Sequence, residues 1–274
     1  MKTNFTKTTL LALVIGTISI SCENEEIENI TSYTKKEVIE SKKTSSVHPS
    51  LIYAVNNNGD LLLYKHKQGT EWGFNGNYKK IADGWDFKQI VVGDLGFLYG
   101  IKPNGDMYFY KHLGDGNSWD DSGKKIGTGW NFKHVFAGYD GHIYAIKDNG
   151  DMYLSKYDGS KWTKSIKKIG NGWNFKHVFA GTHGRIYAIK DNGDMLLFVH
   201  KGNDWLFDGN YKVLGNGWNF KHVFAGNNNH IYAIKNNGNM CLFQHTGFDS
   251  SLSAVGGYLI GNGWSFTHID ARYK

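Results

Sequence analysis

Cysteine is nearly absent from this chain. Two occur in 274 residues, Cys22 and Cys241, so no disulfide framework staples the fold and stability has to come from a packed core. With 40% apolar and 15% aromatic residues, the composition is ample for one. Cys241 lies between Met240 and Leu242 and reads as a small buried apolar residue. No window carries a helical period, and a glycine falls every few residues, which argues for strands and turns. The apolar stretch Leu10 to Ile20 is too short for a membrane-crossing helix.

The familiar motifs of catalysis are missing too. There is no His-Glu-x-x-His, no nucleophile elbow and no sialidase-type Asp-box. Acidic residues mostly recur in register: Asp60, Asp106, Asp151 and Asp194, with Asn239 in the last copy. Carboxylates without a counterpart, such as Glu71, Asp94 and Asp270, fall in different parts of their units, whereas a single active site needs paired acids that break the repeat. The Asp-x-Gly-Asp turns lack the distal carboxylate that completes a calcium loop and read as hairpins. Four of the twelve histidines are one position repeated, His134, His177, His222 and His268, with Gln89 in the first unit. Each shares the Phe face of its strand, which favours a hydrogen-bonded structural group over a metal ring. The formal charge of +6 is spread through every unit rather than clustered, which speaks against nucleic acid. These features predict a protein that is not an enzyme and needs no cofactor or metal.

What the chain does have is a repeat. Gly-Trp returns five times, at Trp85, Trp130, Trp173, Trp218 and Trp264. Within each unit, alternating β-branched and aromatic residues (Ile143 to Ile146), an Asp-Asn-Gly turn (148–150) and a second such run (Met152 to Lys156) give a hairpin. Short strands at Lys167–Ile169 and Phe175–Phe179 complete four strands per unit. Four strands in roughly 45 residues make a propeller blade. The fold class predicted is therefore all-β, a five-bladed β-propeller of four-stranded antiparallel blades. The Gly-x-Gly-Trp link crosses between blades. The last strand, near Phe266 to Ala271, lies beside Leu51 to Val55 and closes the ring, leaving no free edge.

The domain organisation predicted is a signal peptide over 1–21, a disordered tether over 22–47 and the propeller over 48–274. Lys2 and Lys7 precede the apolar stretch, as in a secretory signal. Ile20-Ser21-Cys22 resembles the lipobox of bacterial lipoproteins, with Cys22 the lipidated residue. The acidic run after it resembles the surface-export signal of lipoproteins in Bacteroidetes-type bacteria. The tether holds six Glu against four Lys with little to bury. The expected place is the bacterial outer membrane, surface-exposed, with membrane contact through the lipid anchor only and a monomeric ring.

A second tryptophan set precedes the first by 11 or 13 residues: Trp72, Trp119, Trp162 and Trp205, with Phe248 shifted in the fifth unit. Either set packs between blades or offers a platform to a pyranose face. Asn131, Asn174 and Asn219 follow the Gly-Trp, with Asp86 and Ser265 at the ends of the series, and supply polar partners for hydroxyls. The order Trp, then Lys-Lys-Ile-Gly-x-Gly-Trp-x-Phe-Lys-x-Val-Phe, then Gly-x-Ile-Tyr-Ala-Ile, resembles the repeat of the tachylectin-2 family of five-bladed propeller lectins. The resemblance runs from about residue 51 to 274. It implies a lectin whose partners are glycans carrying N-acetylglucosamine (GlcNAc) or N-acetylgalactosamine (GalNAc), bound at four or five equivalent sites between blades without metal. The tryptophans of both sets, with Asp86, Asn131, Asn174 and Asn219, are the expected contacts. The alternative is a non-catalytic protein-interaction propeller on the cell surface.

Overall fold

The structure is a computed structural model. It describes residues 48–272 apart from 115, 117, 207–208 and 246–256. The signal, the tether, Cys22 and Phe248 lie outside the described residues.

Among the described residues, twenty-one strands form five sheets. Blade 1 holds β1 (Ser50–Val55), β2 (Leu61–Gln68), β3 (Glu71–Trp72) and β4 (Lys79–Ala82). Blade 2 holds β5 (Gln89–Val92), β6 (Phe97–Ile101), β7 (Met107–His112) and β8 (Trp119–Gly127). Blade 3 is β9 (His134–Ala137), β10 (His142–Ile146), β11 (Met152–Tyr157) and β12 (Trp162–Gly170). Blade 4 is β13 (His177–Ala180), β14 (Arg185–Ile189), β15 (Met195–Val199) and β16 (Lys212–Gly215). Blade 5 is β17 (His222–Ala225), β18 (His230–Ile234), β19 (Met240–Gln244) and β20 (Tyr258–Gly261). The last strand, β21 (His268–Arg272), returns to blade 1 and pairs antiparallel with β1, Leu51 opposite Arg272 and Val55 opposite His268. The closure expected from the sequence is thus the one observed.

Burial follows position in the blade. The second strand of each blade is buried at every residue, because neighbouring blades cover both its faces. The outermost strand β12 is largely exposed along its length. Innermost strands touch in cyclic order, β5 to β9, β13, β17, β21 and back to β5, and so line the axis. In every blade the outer pair is bulged at its first residues, for example between Met152 and Tyr153 and between Met195 and Leu196. The bulge turns the chain into the Gly-Trp link.

Two sets of side chains tie blade to blade. His134 Nε2 bonds the Phe175 carbonyl at 3.1 Å, His177 Nε2 that of Phe220 at 3.2 Å, and His268 Nε2 that of Phe87 at 2.9 Å. Gln89 Nε2 donates to the Val135 carbonyl at 3.1 Å. The repeated histidine therefore latches its own innermost strand to the next blade. A second set was not anticipated from the sequence. Tyr53, Tyr144, Tyr187 and Tyr232 each place a hydroxyl 2.7–2.9 Å from a buried histidine of the following blade: His112, His200, His245 and His66. Between blades 2 and 3 the pair is Tyr99 and Tyr157 instead. Four hydrogen bonds and one ring contact thus run around the ring.

The Asp-Asn-Gly turns are hairpins, as expected. Asn149 Oδ1 accepts the Asp151 N–H, and Asp151 reaches across to Lys168 at 2.6 Å. Asp60–Lys80 and Asp106–Lys125 repeat the ion pair. Each lysine partner holds its carboxyl below the usual range.

Candidate functional site

The Gly-x-Gly-Trp link has a physical reason for each glycine. At the second glycine the backbone is left-handed, with φ +74° at both Gly129 and Gly172, a conformation glycine adopts without strain. At the first, a Cβ would sit 2.6 Å from Trp130 Nε1 at Gly127 and 2.9 Å from Trp173 Nε1 at Gly170. The tryptophan amide then donates back to its own blade's hairpin: Trp173 N to the Gly150 carbonyl, 3.0 Å, with the same bond at Trp85, Trp130, Trp218 and Trp264. This folding drives the indole inward between two blades. Gly170→Ala is expected to lower stability by about 1–3 kcal/mol, since the new methyl group must displace a packed indole. Thermal unfolding should show Tm falling by roughly 5 °C.

The first tryptophan set is accordingly core. Trp85, Trp130, Trp173, Trp218 and Trp264 are 5, 8, 6, 0 and 7% exposed. The second set lies over it from the next blade and is half-buried. Trp119 faces Trp85 at 6.0 Å, Trp162 faces Trp130 at 5.4 Å, Trp205 faces Trp173 at 5.5 Å, and Trp72 faces Trp264 at 5.4 Å. Three of these outer indoles donate across the interface: Trp162 to the Ile126 carbonyl, Trp205 to Ile169 and Trp72 to Ile260. Both sets therefore pack, and only the outer one presents surface.

The asparagines after Gly-Trp turn away from the interface. Their side chains lie against the hairpin glycine of their own blade, Asn131 on Gly105, Asn174 on Gly150 and Asn219 on Gly193. Asp86 and Ser265, at the ends of that series, are exposed.

Between blades 3 and 4 the link and the outer loop enclose a groove of about 360 Å³. Trp173, Phe175, Phe198, Trp205 and Tyr211 form its aromatic walls, and Asn171 supplies an exposed amide. Asn171 and Tyr211 were not among the residues singled out from the sequence. The signal was there: Asn171 is the x of Gly-x-Gly-Trp, and Tyr211 stands just before β16. A larger hollow of about 670 Å³ opens elsewhere, lined by residues of blades 2, 3 and 4. It is lined by charged and polar groups, among them Asp94, His142, Lys156, Lys164 and Lys201. Lys156 there is paired with Asp140 at 2.5 Å. Among the described residues, no group of three or more His, Cys, Asp or Glu side chains converges to hold a metal ion.

A family model described as Tachylectin matches residues 39–161 and 155–272. The chain belongs to the Tachylectin family. The family reading makes it a carbohydrate-binding lectin. No curated protein matches the chain. Among solved structures, one described as "The de novo evolutionary emergence of a symmetrical protein is shaped by folding constraints" is 22% identical, with a TM-score of 0.57, over 80% of this chain and 97% of that one. That likeness is one of fold. SapL1 lectin in complex with alpha methyl fucoside is 15% identical, with a TM-score of 0.40, over 80% and 79%. AofleA from Arthrobotrys oligospora is 10% identical, with a TM-score of 0.40, over 77% and 74%.

Proposed function

We propose that this chain is a surface lectin that takes N-acetylated amino sugars, GlcNAc or GalNAc, in grooves between neighbouring blades. The observation that carries this reading is the groove between blades 3 and 4. Its aromatic walls suit the C–H face of a pyranose, and the exposed Asn171 amide offers a donor and an acceptor to an acetamido group or to vicinal hydroxyls. The volume of about 360 Å³ fits a small ligand. A shallow site of this kind binds weakly, about 4 kcal/mol at millimolar Kd. Placing more than one on a rigid ring raises binding to a multivalent glycan through effective concentration.

The N-terminal features support a place on the outer membrane. Cys22 would carry the lipid and residues 22–47 would give reach from the surface. Cys22→Ala is expected to release the protein from membranes in a fractionation of the native host. The function itself is tested by calorimetric titration with GlcNAc and GalNAc. Saturable heat at millimolar sugar is the expected result, and no heat at tens of millimolar would retire the amino-sugar reading.

A further inference from the structure

The five inter-blade grooves are not alike. In blades 1 and 4 the outer segment reads Trp-x-Phe-x-Gly-Asn-Tyr, Trp72 to Tyr78 and Trp205 to Tyr211. Blades 2 and 3 have instead one continuous nine-residue strand, β8 and β12. Counted back from the Gly-Trp link, the position of Tyr78 and Tyr211 is held by Gly123 in blade 2, Ile166 in blade 3 and Gly257 in blade 5. The ladders agree: Lys79 and Lys212, the residues after those tyrosines, pair with Leu63 and Leu197, as Lys124 pairs with Phe109 and Lys167 with Leu154.

The two tyrosine grooves share one geometry. Tyr78 lies 5.5 Å from Tyr64 at 53°, and Tyr211 lies 5.5 Å from Phe198 at 55°. Tyr64 meets Trp264 at 4.6 Å, and Phe198 meets Trp173 at 4.5 Å. Trp72 and Trp205 each donate to a carbonyl of the preceding blade at 3.2 Å. Asn171 of the link lines the groove with Tyr211, and Asn262, also exposed, holds the same position in the link that precedes blade 1. The tyrosines are 49% and 48% exposed, so they offer a face that the buried tryptophans do not. By contrast, the groove between blades 1 and 2 has Asp83 and Gly123 in these places, and that between blades 2 and 3 has Thr128 and Ile166. In the latter, Ser155 also replaces the ring of Tyr64 or Phe198. Between blades 4 and 5, Asn216 is present but Gly257 stands opposite. Since Cβ on Gly257 would meet the Phe243 ring at 2.4 Å, no larger residue fits there without repacking.

We propose that the protein is a bivalent lectin, whose two sugar sites are the grooves between blades 3 and 4 and between blades 5 and 1. Tyr211 and Tyr78 are the stacking platforms, and Asn171 and Asn262 the polar contacts. This rests on the amino-sugar reading above. An aromatic platform needs a ring face open to the ligand, and only these two grooves combine such a face with a neighbouring amide among the described residues.

The test is calorimetry with GlcNAc and GalNAc on the wild type and on Tyr78→Ala, Tyr211→Ala, the double variant and Ile166→Ala, with indole N–H resonances followed by NMR. Two sites are expected in the wild type, one in each single tyrosine variant, and an affinity loss of about tenfold or more in the double variant. Ile166→Ala should bind as the wild type does. The Trp72 and Trp205 indoles should shift with sugar, and those of Trp119 and Trp162 should not. The tyrosines are half-exposed, so Tm should hold and the loss cannot be misfolding. Four or five sites, or undiminished binding by the double variant, would overturn the bivalent assignment while leaving the lectin reading intact. Heat without any indole shift would move the sugar out of the inter-blade grooves and overturn the assignment as well. No binding of either sugar would overturn both.

Discussion

Trp218→Ala is expected to remove roughly 3–5 kcal/mol of stability, the range for deleting a large buried aromatic. The side chain is 0% exposed. It packs on Phe220 at 5.7 Å and on Phe243 at 4.6 Å, within a core that joins Val199 and Leu214 of blade 4 to Val223 and Cys241 of blade 5. The backbone bond from Trp218 N to the Gly193 carbonyl, 3.0 Å, survives the substitution. What is lost is therefore volume and contact, not a hydrogen bond of the link. The surrounding ladders hold their strands in register on both sides, so the hole collapses only in part, and a residual cavity adds to the transfer loss. Tm should fall by about 10 °C, read by circular dichroism. Tyr211→Ala is the contrast: being half-exposed, it should stay within about 0.5 kcal/mol of wild type. A Tm loss below about 3 °C in Trp218→Ala would mean that blades 4 and 5 close over the gap.

The fold was legible because its signals are local and repeated. Gly-Trp at near-constant spacing counts blades, Asn-Gly marks the central hairpin of each, and a ring whose first strand lies within a blade closes with its last strand beside it. The site was less legible. The structure brings Trp173 and Trp205 together at 5.5 Å, whereas the sequence leaves packing and stacking open. Only the burial of Trp173 and the half-burial of Trp205 divide them. Asn171 and Asn174 are both exposed asparagines of one link. Which one faces the groove depends on the left-handed turn at Gly172, which lays Asn174 over Gly150. The histidines show the same limit. A structural role for His134 and His177 followed from their phenylalanine neighbours, but their partners are carbonyls some 41 and 43 residues away in the next blade. The set His66, His112, His200 and His245 passed unnoticed, although each stands at the same repeat position near the end of a blade strand (β2, β7, β15 and β19). Its meaning lies in a tyrosine of the preceding blade, 56–59 residues back along the chain or, at the closure, 166 residues away.

Those histidines make acid the condition under which the ring should fail. Burial, as the first cause, holds His66, His134, His142, His177, His200, His222, His230 and His268 below their usual pKa of 6.5, with His200, His222 and His230 near 4. The unfolded chain takes up these protons near pH 6.5 and the folded ring at lower pH, His200, His222 and His230 only near pH 4. The stability tied to them is fully present above pH 6.5 and is lost as pH falls toward 4. His200, His222 and His230 alone, at about 1 kcal/mol each after solvent screening, should lower Tm by roughly 5–10 °C across that window. Asp270 acts in the opposite sense. It is half-buried on the innermost strand β21, where its carboxyl accepts the Val92 N–H at 3.0 Å, and desolvation pushes its pKa from 3.8 up to about 7. Its contribution is present at low pH and lost as pH rises through 7. The Tm profile should therefore rise from pH 4 to about 6.5, with Asp270 offsetting part of the histidine effect in that window, and level off above pH 7. Two variants separate the causes. Asp270→Asn keeps an acceptor for Val92 but cannot ionise, so it should gain about 1 kcal/mol at pH 8 and nothing at pH 4. Replacing His134, His177, His222 and His268 together by Gln, the residue blade 2 already carries as Gln89, should flatten the acid limb. An acid limb of unchanged steepness in that variant would show that the latches between innermost strands are not what acid breaks, and would leave His66, His142, His200 and His230 to account for it.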